Sequence, residues 1–132
     1  MRWLIDSDIL IEGERGNPAY LVWIKAGDEF ATADIMRAEF LLGVHAVADA
    51  AKRRRGEQFY IERVSALASF PNEPEDYVTA ARIAGEGRRL GRGKPSLVDG
   101  LLAAIALRLG ATVATRNITD LKAMGCPCAD PF

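Results

Sequence analysis

The feature that most constrains the fold is a helix that runs directly into a strand in the last third of the chain. Apolar residues recur at helical spacing from Leu97 to Leu109, and Gly110 ends the helix. The apolar segment from Ala111 to Ala114 then predicts a short buried strand. A helix and a strand joined by a single glycine are typical of a sheet that is covered by helices.

The same alternation begins at the start of the chain. Arg2 to Ile5 forms a short apolar strand. Asn17 followed by Pro18 then favours the start of a helix, and Glu29 to Thr32 predicts a second strand. Asp34 is placed to cap a long helix after that strand.

Further helices and a last strand complete the pattern. We expect one helix over Tyr60 to Ala68, and another whose apolar face is formed by Tyr77, Val78, Ala81 and Ala84. A short helix should end near Met124, followed by a strand around Cys126. The alternation predicts a three-layer α/β/α sandwich with a mainly parallel central sheet.

Length and composition limit the class of protein. The 132 residues, 49% of them hydrophobic, fit a single domain over residues 1–132. No apolar run approaches the ~20 residues that span a bilayer, and acidic residues come too early for a secretory signal, so we expect a cytoplasmic protein. Cys126 and Cys128 flank one proline, an awkward spacing for a disulfide, and one histidine cannot complete a zinc site with them. We interpret both as ordinary buried residues.

Positive charge is concentrated in two short runs, although the totals of 17 basic and 18 acidic residues nearly balance. The runs are Lys52, Arg53, Arg54 and Arg55, then Arg88, Arg89, Arg92 and Lys94. Each run is expected at the end of a helix, where a solvated basic turn that complements the helix dipole is one interpretation. The other is a pair of patches that bind RNA phosphates on either side of an acidic site.

Four acidic residues are expected at one edge of the sheet. Asp6 directly follows the first strand, and Asp120 follows the late strand by one turn. Glu39 and Asp99 lie early in helices that a parallel sheet aims at the same edge. Carboxylates gathered within about 5 Å repel one another unless a cation compensates them. Oxygen ligands select hard ions, so the pattern predicts a Mg²⁺ or Mn²⁺ site.

These acids also have structural interpretations. The pairs Ser96/Asp99 and Asn117/Asp120 both have the spacing of a capping box, in which the acid binds the backbone of the helix cap. Glu39 is harder to explain structurally, because helical spacing places it in an apolar stripe, where an unpaired carboxylate is costly.

Three stretches that together cover most of the chain carry a family resemblance. They are LIDSDILIE at residues 4–12, RAEFLLG at 37–43 and VDGLLAAIALRLGATVATRNITDL at 98–121. They resemble motifs of the PIN-domain ribonucleases, and among these the VapC toxins of bacterial toxin–antitoxin pairs. The C-terminal ADPF is similar to a common ending of that family.

The resemblance implies a metal-dependent endoribonuclease. Its acidic quartet would be Asp6, Glu39, Asp99 and Asp120, with Asp6 and Asp99 as the main ligands of Mg²⁺ or Mn²⁺ and the other two completing one or two metal sites. Its polar neighbours would be Ser7, Asp8, Thr115 and Asn117. The implied partners are an RNA substrate, a VapB-like antitoxin that covers the site, and a second copy of the chain bound through apolar helix surfaces. No membrane is involved.

The departures from the family pattern are mild. Ser7 stands where Thr is usual, which keeps a hydroxyl group. Asp8 stands where Asn is common, which adds a carboxylate to the site.

Two other functions fit parts of the pattern. Asp6, Ser7 and Asp8 also match the D-x-D opening of haloacid-dehalogenase-like phosphatases, whose first Asp is a phosphorylated nucleophile. That family needs a late pair of acids, where this chain has the single Asp120. The other alternative is a non-catalytic PIN-like RNA-binding module, which would not require all four acids. Metal-dependent RNA cleavage, compared with hydrolysis of a generic phosphate ester, separates these functions.

Overall fold

Five short strands form one sheet in the order β3-β2-β1-β4-β5, and every neighbouring pair is parallel. The computed structural model describes all 132 residues. The strands are β1 (Arg2–Ile5), β2 (Glu29–Ala33), β3 (Ala68–Phe70), β4 (Thr112–Ala114) and β5 (Cys128–Ala129). The helices are α1 (Ser7–Glu14), α2 (Pro18–Trp23), α3 (Asp34–Ala46), α4 (Ala50–Phe59), α5 (Pro74–Arg89), α6 (Leu97–Leu109) and α7 (Ile118–Ala123). A π-helical turn over Tyr60–Val64 continues α4.

The order of the strands creates a crevice at the centre of the sheet. From β1 the chain moves to β2 and β3 on one side, and it then returns to place β4 and β5 on the other side. Parallel sheets bind their ligands beyond the carboxyl ends of the strands where the strand order reverses in this way. Here that place lies between β1 and β4.

Apolar side chains cover both faces of the sheet. Leu4 of β1 packs in a cluster with residues of α5, α6 and α7, such as Leu102. Its neighbours Trp3 and Ile5 point the other way and pack with residues of α1, α2 and α3, such as Phe40. The alternation follows the pleat of the strand. The predicted three-layer sandwich with a parallel sheet is therefore confirmed.

The helix predicted over Tyr60 to Ala68 is wrong at its end. It stops at Val64, and Ala68–Phe70 forms β3 beside β2. The guanidinium of Arg37 donates hydrogen bonds to the carbonyls of Ser65 (3.2 Å) and Leu67 (2.8 Å), which satisfies the end of this helix from a different helix.

The predicted apolar face of α5 is rotated. Tyr77 and Val78 are 55% and 67% exposed, whereas Asp76 and Ala80 are buried. Asp76 faces inward because Arg108 of α6 pairs with it at 3.0 Å. Burial alone would raise the pKa of Asp76, but hydrogen bonds from Arg108 and from the Glu73 N–H, with the charge of Arg108, hold it below its usual value.

One smaller prediction is wrong, and one helix was missed. The run Lys52 to Arg55 does not end a helix but lies inside α4, which Asp49 caps by accepting a hydrogen bond from the Lys52 N–H at 3.0 Å. The helix α1 was not predicted at all. Cys126 is buried and Cys128 half-buried, both as free thiols, in line with their interpretation as ordinary residues. None of the helices combines the length and hydropathy that crossing a membrane requires.

Candidate active site

Asp6 lies at the carboxyl end of β1, in the crevice between β1 and β4. Its backbone N–H donates to the carbonyl of Ala114 at 3.0 Å, so the residue is held in the hydrogen-bond ladder of the sheet. Its Oδ1 accepts from the Ser7 N–H at 2.7 Å, and its Oδ2 accepts from the Thr115 hydroxyl at 2.8 Å. The side chain is buried, so these bonds fix both oxygens.

Asp8 joins the same cluster from the first turn of α1. Its Oδ2 accepts from the Arg116 N–H at 2.9 Å and lies 3.4 Å from the Thr115 hydroxyl. Its Oδ1 is buried and has no hydrogen-bond partner. The Thr115 oxygen also accepts from the Asn117 N–H at 2.9 Å, which closes the turn after β4. Of the four polar neighbours predicted from the sequence, Ser7 and Thr115 bind Asp6 directly. Asp8 and Asn117 reach it only through Thr115, Asn117 by its backbone N–H.

Glu39 reaches the cluster from α3, but it is not buried as the sequence predicted. The buried residues of α3 are Met36, Phe40 and Val44, so the apolar stripe lies beside Glu39 rather than around it. The exposed Glu39 carboxylate accepts from the Ser7 hydroxyl at 3.0 Å. Ser7 therefore links Glu39 to Asp6, whose Oδ1 lies 3.5 Å from the same hydroxyl.

The acids of the cluster outnumber Arg116, the nearby cation whose charge lowers the pKa of Asp8. Burial, then the charge of Asp8 and finally that of Glu39 raise the pKa of Asp6 to about 7, against the hydrogen bonds from Thr115 and Ser7. Burial likewise raises the pKa of Asp8. An ionised Asp6 is therefore unfavourable in the absence of a cation.

The other two acids of the predicted quartet bind backbone amides. Asp99 forms the predicted capping box of α6, with its Oδ2 2.9 Å from the Ser96 N–H and its own N–H 3.0 Å from the Ser96 Oγ. The equivalent capping box of Asn117 and Asp120 is not formed. Instead, Asp120 Oδ1 accepts from the Lys94 N–H at 2.8 Å. Neither Asp99 nor Asp120 is hydrogen-bonded to the cluster around Asp6.

A hard divalent cation suits this site in its chemistry. The available ligands are carboxylate and hydroxyl oxygens, and the buried Asp8 Oδ1 lacks a partner. No three of the chain's Asp, Glu, His or Cys side chains stand in metal-binding geometry, so holding an ion would require side-chain rotation. Asp6 and Asp8 are the residues best placed to hold it, with Glu39 and Asp99 as further candidates.

Arg116 is a residue that the sequence reasoning missed. It lies between Thr115 and Asn117, and its guanidinium donates to Glu12 of α1 at 3.1 Å while it covers the ring of Phe132 at 5.7 Å. Its place inside the TRN motif and the glutamate of LIDSDILIE were the available signals. The pair binds the turn after β4 to α1, beside the acids.

The two basic runs remain largely unpaired. None of their side chains forms an ion pair with an acid. One arginine in each run instead supports the backbone: Arg53 donates to the Val47 carbonyl at 2.7 Å, and Arg88 donates to the Pro95 carbonyl at 2.7 Å.

Two cavities lie beside these runs. One, of about 580 Å³, lies between α1, α3 and α4, and we call it the helical groove. It is lined by apolar residues that include Phe40 and Val44, by the cations Arg15, Lys52 and Arg55, and by one acid, Glu14. The other, of about 630 Å³, is lined by Arg88, Gly91, Gly93 and Lys94.

Solved structures share this fold over nearly the whole chain. FitAcB from Neisseria gonorrhoeae is 22% identical, with a TM-score of 0.84 over 98% of this chain and 97% of that chain. DNA-bound VapBC from Salmonella typhimurium is 17% identical, with a TM-score of 0.80 over 100% and 99%. VapBC2 from Rickettsia felis, bound to a DNA fragment from its promoter, is 18% identical, with a TM-score of 0.77 over 98% of each chain.

The family follows from the sequence. No curated protein matches the chain significantly. A family model of the PIN domain matches residues 3–124, which confirms the resemblance to that family and leaves the phosphatase interpretation of Asp6 and Asp8 without support from the fold. With this match, and with the acidic cluster at the carboxyl ends of β1 and β4, the chain belongs to the PIN domain family.

Proposed function

We propose that the chain is a metal-dependent endoribonuclease and the toxin of a toxin–antitoxin pair. The observation that carries the proposal is the buried Asp6, which is held between Ser7 and Thr115 beside a second carboxylate, Asp8. The charge of Arg116 lowers the pKa of Asp8 but does not offset the effect of its burial. RNA is the expected substrate, because unpaired strands can enter an open crevice.

The chain's own residues would organise the reaction as follows. Thr115 and Ser7 fix the two oxygens of Asp6, and Ser7 directs Glu39 towards the same point. Mg²⁺ or Mn²⁺ bound there would supply Lewis-acid activation of water and neutralise charge on the phosphate. Asp99 and Asp120 stand at the first turns of α6 and α7, helices that begin at the same edge of the sheet.

The direct test is cleavage of a labelled RNA by the purified chain with Mg²⁺, with Mn²⁺ and with EDTA. We expect cleavage only with metal, and Asp6→Asn and Asp99→Asn should abolish it without unfolding the protein. Glu75→Gln is the matched control, because Glu75 is an exposed acid of α5 without ion pair or hydrogen bond. If Asp6→Asn cleaves at a rate near that of the wild type, the site is wrongly assigned. Metal-independent RNA binding without cleavage would support the non-catalytic alternative.

The proposed protein partner is a VapB-like antitoxin. The FitAB and VapBC structures that share the fold are of toxin–antitoxin type, as is a toxin–antitoxin complex from Klebsiella pneumoniae that is 20% identical with a TM-score of 0.76. The helical groove offers apolar contacts beside Lys52 and Arg55, which suits an antitoxin segment that carries apolar and acidic residues. The double variant Lys52→Glu/Arg55→Glu should then still cleave RNA, but the co-expressed antitoxin should no longer inhibit that cleavage.

We also propose a homodimer. Tyr77 and Val78 of α5 form an exposed apolar surface that a second copy would cover. Sedimentation of the chain before and after Val78→Glu tests this, and a monomeric wild type would refute it.

A further inference from the structure

We propose that the loop Gly91–Lys94, here called the basic loop, binds phosphates of the RNA, and that Asp120 is a positioning residue that anchors this loop. The proposal rests on the nuclease function above, but it assigns to Asp120 a role different from the metal ligand that its motif implies. Four observations carry it.

The first observation is a close contact between the loop and Asp120. Asp120 Oδ1 accepts the Lys94 N–H at 2.8 Å, across 26 residues of sequence. A Cβ atom at Gly93 would lie 2.6 Å from the same oxygen and 3.6 Å from the Cβ of Ala123. A side chain at position 93 would therefore push the Asp120 carboxylate away from its present contact with the loop.

The second observation is that hydrogen bonds also fix the start of the loop and the residue that follows it. At the start, the Gly91 N–H donates to the Arg88 carbonyl at 3.1 Å and the Arg92 N–H donates to the Gly87 carbonyl at 3.2 Å. Arg88 Nε donates to the carbonyl of Pro95 at 2.7 Å, and Pro95 is buried. A Cβ at Gly87 would lie 3.2 Å from the Pro95 ring. The segment is thus held at both ends, so its shape is set before any ligand arrives.

The third observation is the charge of the surface between these anchors. The open depression of about 630 Å³ beside the loop is lined by Arg88, Gly91, Gly93 and Lys94. Asp120 also contacts the loop, and its Oδ1 is bound to the Lys94 N–H. The side chains of Arg92 and Lys94 are exposed and form no ion pair. Unpaired cations bind phosphate oxygens, and in this loop they are the available groups, because the N–H groups of Gly91, Arg92 and Lys94 are already bound within the protein.

The fourth observation is the position of the loop. It leads directly into Ser96, which caps α6 and binds Asp99, while its Lys94 N–H is bound to the first turn of α7. A phosphate on the loop would therefore lie beside two helices whose first turns carry acids of the quartet. Asp120 would act through the loop, by keeping the phosphodiester chain in register with the cluster around Asp6.

The anchor role and the ligand role make different demands on Asp120. An anchor needs one oxygen that accepts a hydrogen bond, which the amide of asparagine also provides. A metal ligand needs the negative charge. Asp120→Asn should therefore preserve the loop and Asp120→Ala should release it. Gly93→Ala keeps the negative charge of Asp120 but should push its carboxylate away from the Lys94 N–H.

The experiment measures binding of a fluorescent single-stranded RNA by anisotropy in EDTA over a range of salt concentrations, and kcat and KM of cleavage with Mg²⁺. We expect Asp120→Ala, Gly93→Ala and the double variant Arg92→Gln/Lys94→Gln to bind about tenfold more weakly. The slope of the logarithm of the binding constant against the logarithm of salt concentration should be smaller in magnitude by about 0.7 for each phosphate that the variant no longer binds. KM should rise in proportion while kcat changes by less than about threefold.

The control variants separate the anchor from a general loss of structure. Asp120→Asn should bind RNA within about threefold as tightly as the wild type, because the amide oxygen of asparagine can still accept the hydrogen bond from the Lys94 N–H. Gly85→Ala should bind like the wild type, because a Cβ at this exposed position of α5 meets nothing within 4 Å.

Two results would overturn the proposal. In the first, all three damaging variants bind RNA like the wild type. In the second, Asp120→Asn loses kcat as severely as Asp120→Ala while RNA binding is unchanged, which would make Asp120 a metal ligand. If Gly93→Ala or Asp120→Ala does not fold, the double variant Arg92→Gln/Lys94→Gln decides the outcome, because it changes only exposed side chains. If the wild type binds RNA but does not cleave it, the nuclease function fails while the binding measurements still test the loop.

Discussion

Replacing Asp6 with asparagine should stabilise the metal-free protein, and the gain should grow with pH. At high pH the wild type holds a buried charge at Asp6, next to Asp8 and near Glu39. Asparagine keeps the shape of the side chain. Its amide oxygen accepts from the Ser7 N–H, and its NH₂ group donates to the Thr115 hydroxyl. The variant removes the charge and keeps the contacts.

The size and sign of the effect follow from the pKa of Asp6. A rise from 3.8 to about 7 in the folded protein corresponds to roughly 4 kcal/mol, at about 1.4 kcal/mol per pKa unit. Between these two values the folded wild type binds more protons at Asp6 than the unfolded chain. Its free energy of unfolding therefore falls as pH rises through this interval and levels off above about 7. Allowing for relaxation of the site, we expect Asp6→Asn to gain about 2 to 4 kcal/mol at pH near 8 and almost nothing near pH 4.

The assay is urea denaturation in EDTA at several pH values between about 4 and 8, analysed by linear extrapolation. Glu75→Gln, which neutralises an exposed carboxylate, should change stability by less than about 0.5 kcal/mol throughout. Adding Mg²⁺ should stabilise the wild type and leave the Asp6→Asn variant unaffected, because only the wild type binds the ion tightly. A gain at pH 8 no larger than the gain at pH 4 would refute the electrostatic reasoning.

Three further changes test the packing. Gly100→Ala should destabilise the protein by about 1 to 3 kcal/mol in thermal melts, because its Cβ would lie 2.8 Å from the Ala80 carbonyl oxygen; a more stable variant would contradict this contact. Arg108→Met should cost about 2 kcal/mol at neutral pH by leaving the buried Asp76 unpaired, and the loss should shrink as acid protonates Asp76. Phe132→Ala should cost about 1 kcal/mol in urea denaturation, because its ring supports the guanidinium of Arg116.

The elements that the sequence predicted best are those whose signals are local. The helix Leu97–Leu109 has its predicted bounds, since Ser96 caps its start and Gly110 ends it with a φ of +64°. The end of the helix after α4 could not be predicted in this way. Arg37, from another helix, satisfies its last carbonyls, and pairing with β2 draws Ala68–Phe70 into the sheet.

The same distinction holds for the candidate site. The parallel sheet correctly placed Asp6 beside the turn at Thr115, because the carboxyl ends of neighbouring strands share one edge. The prediction that Glu39 is buried was wrong. The buried face of α3 is formed by Met36, Phe40 and Val44, which is offset by one residue from the predicted face, and only packing against the rest of the protein selects between the two. The contact of Asp120 with Lys94 could not be predicted from the sequence. The capping-box spacing indicated the backbone of Asn117 as the partner of Asp120, but the carboxylate binds the distant Lys94 N–H instead.

The hydrogen bond between Thr115 and Asp6 also bears on when the site can exist during synthesis. The two residues are 109 positions apart, and β1 and β4 pair across the same interval. A ribosome adds on the order of 5 to 20 residues per second, so Asp6 waits for several seconds without the strand and the hydroxyl that hold it. A nascent chain therefore carries no assembled acidic centre. The acidic centre can therefore assemble only after β4 has been made and has paired with β1.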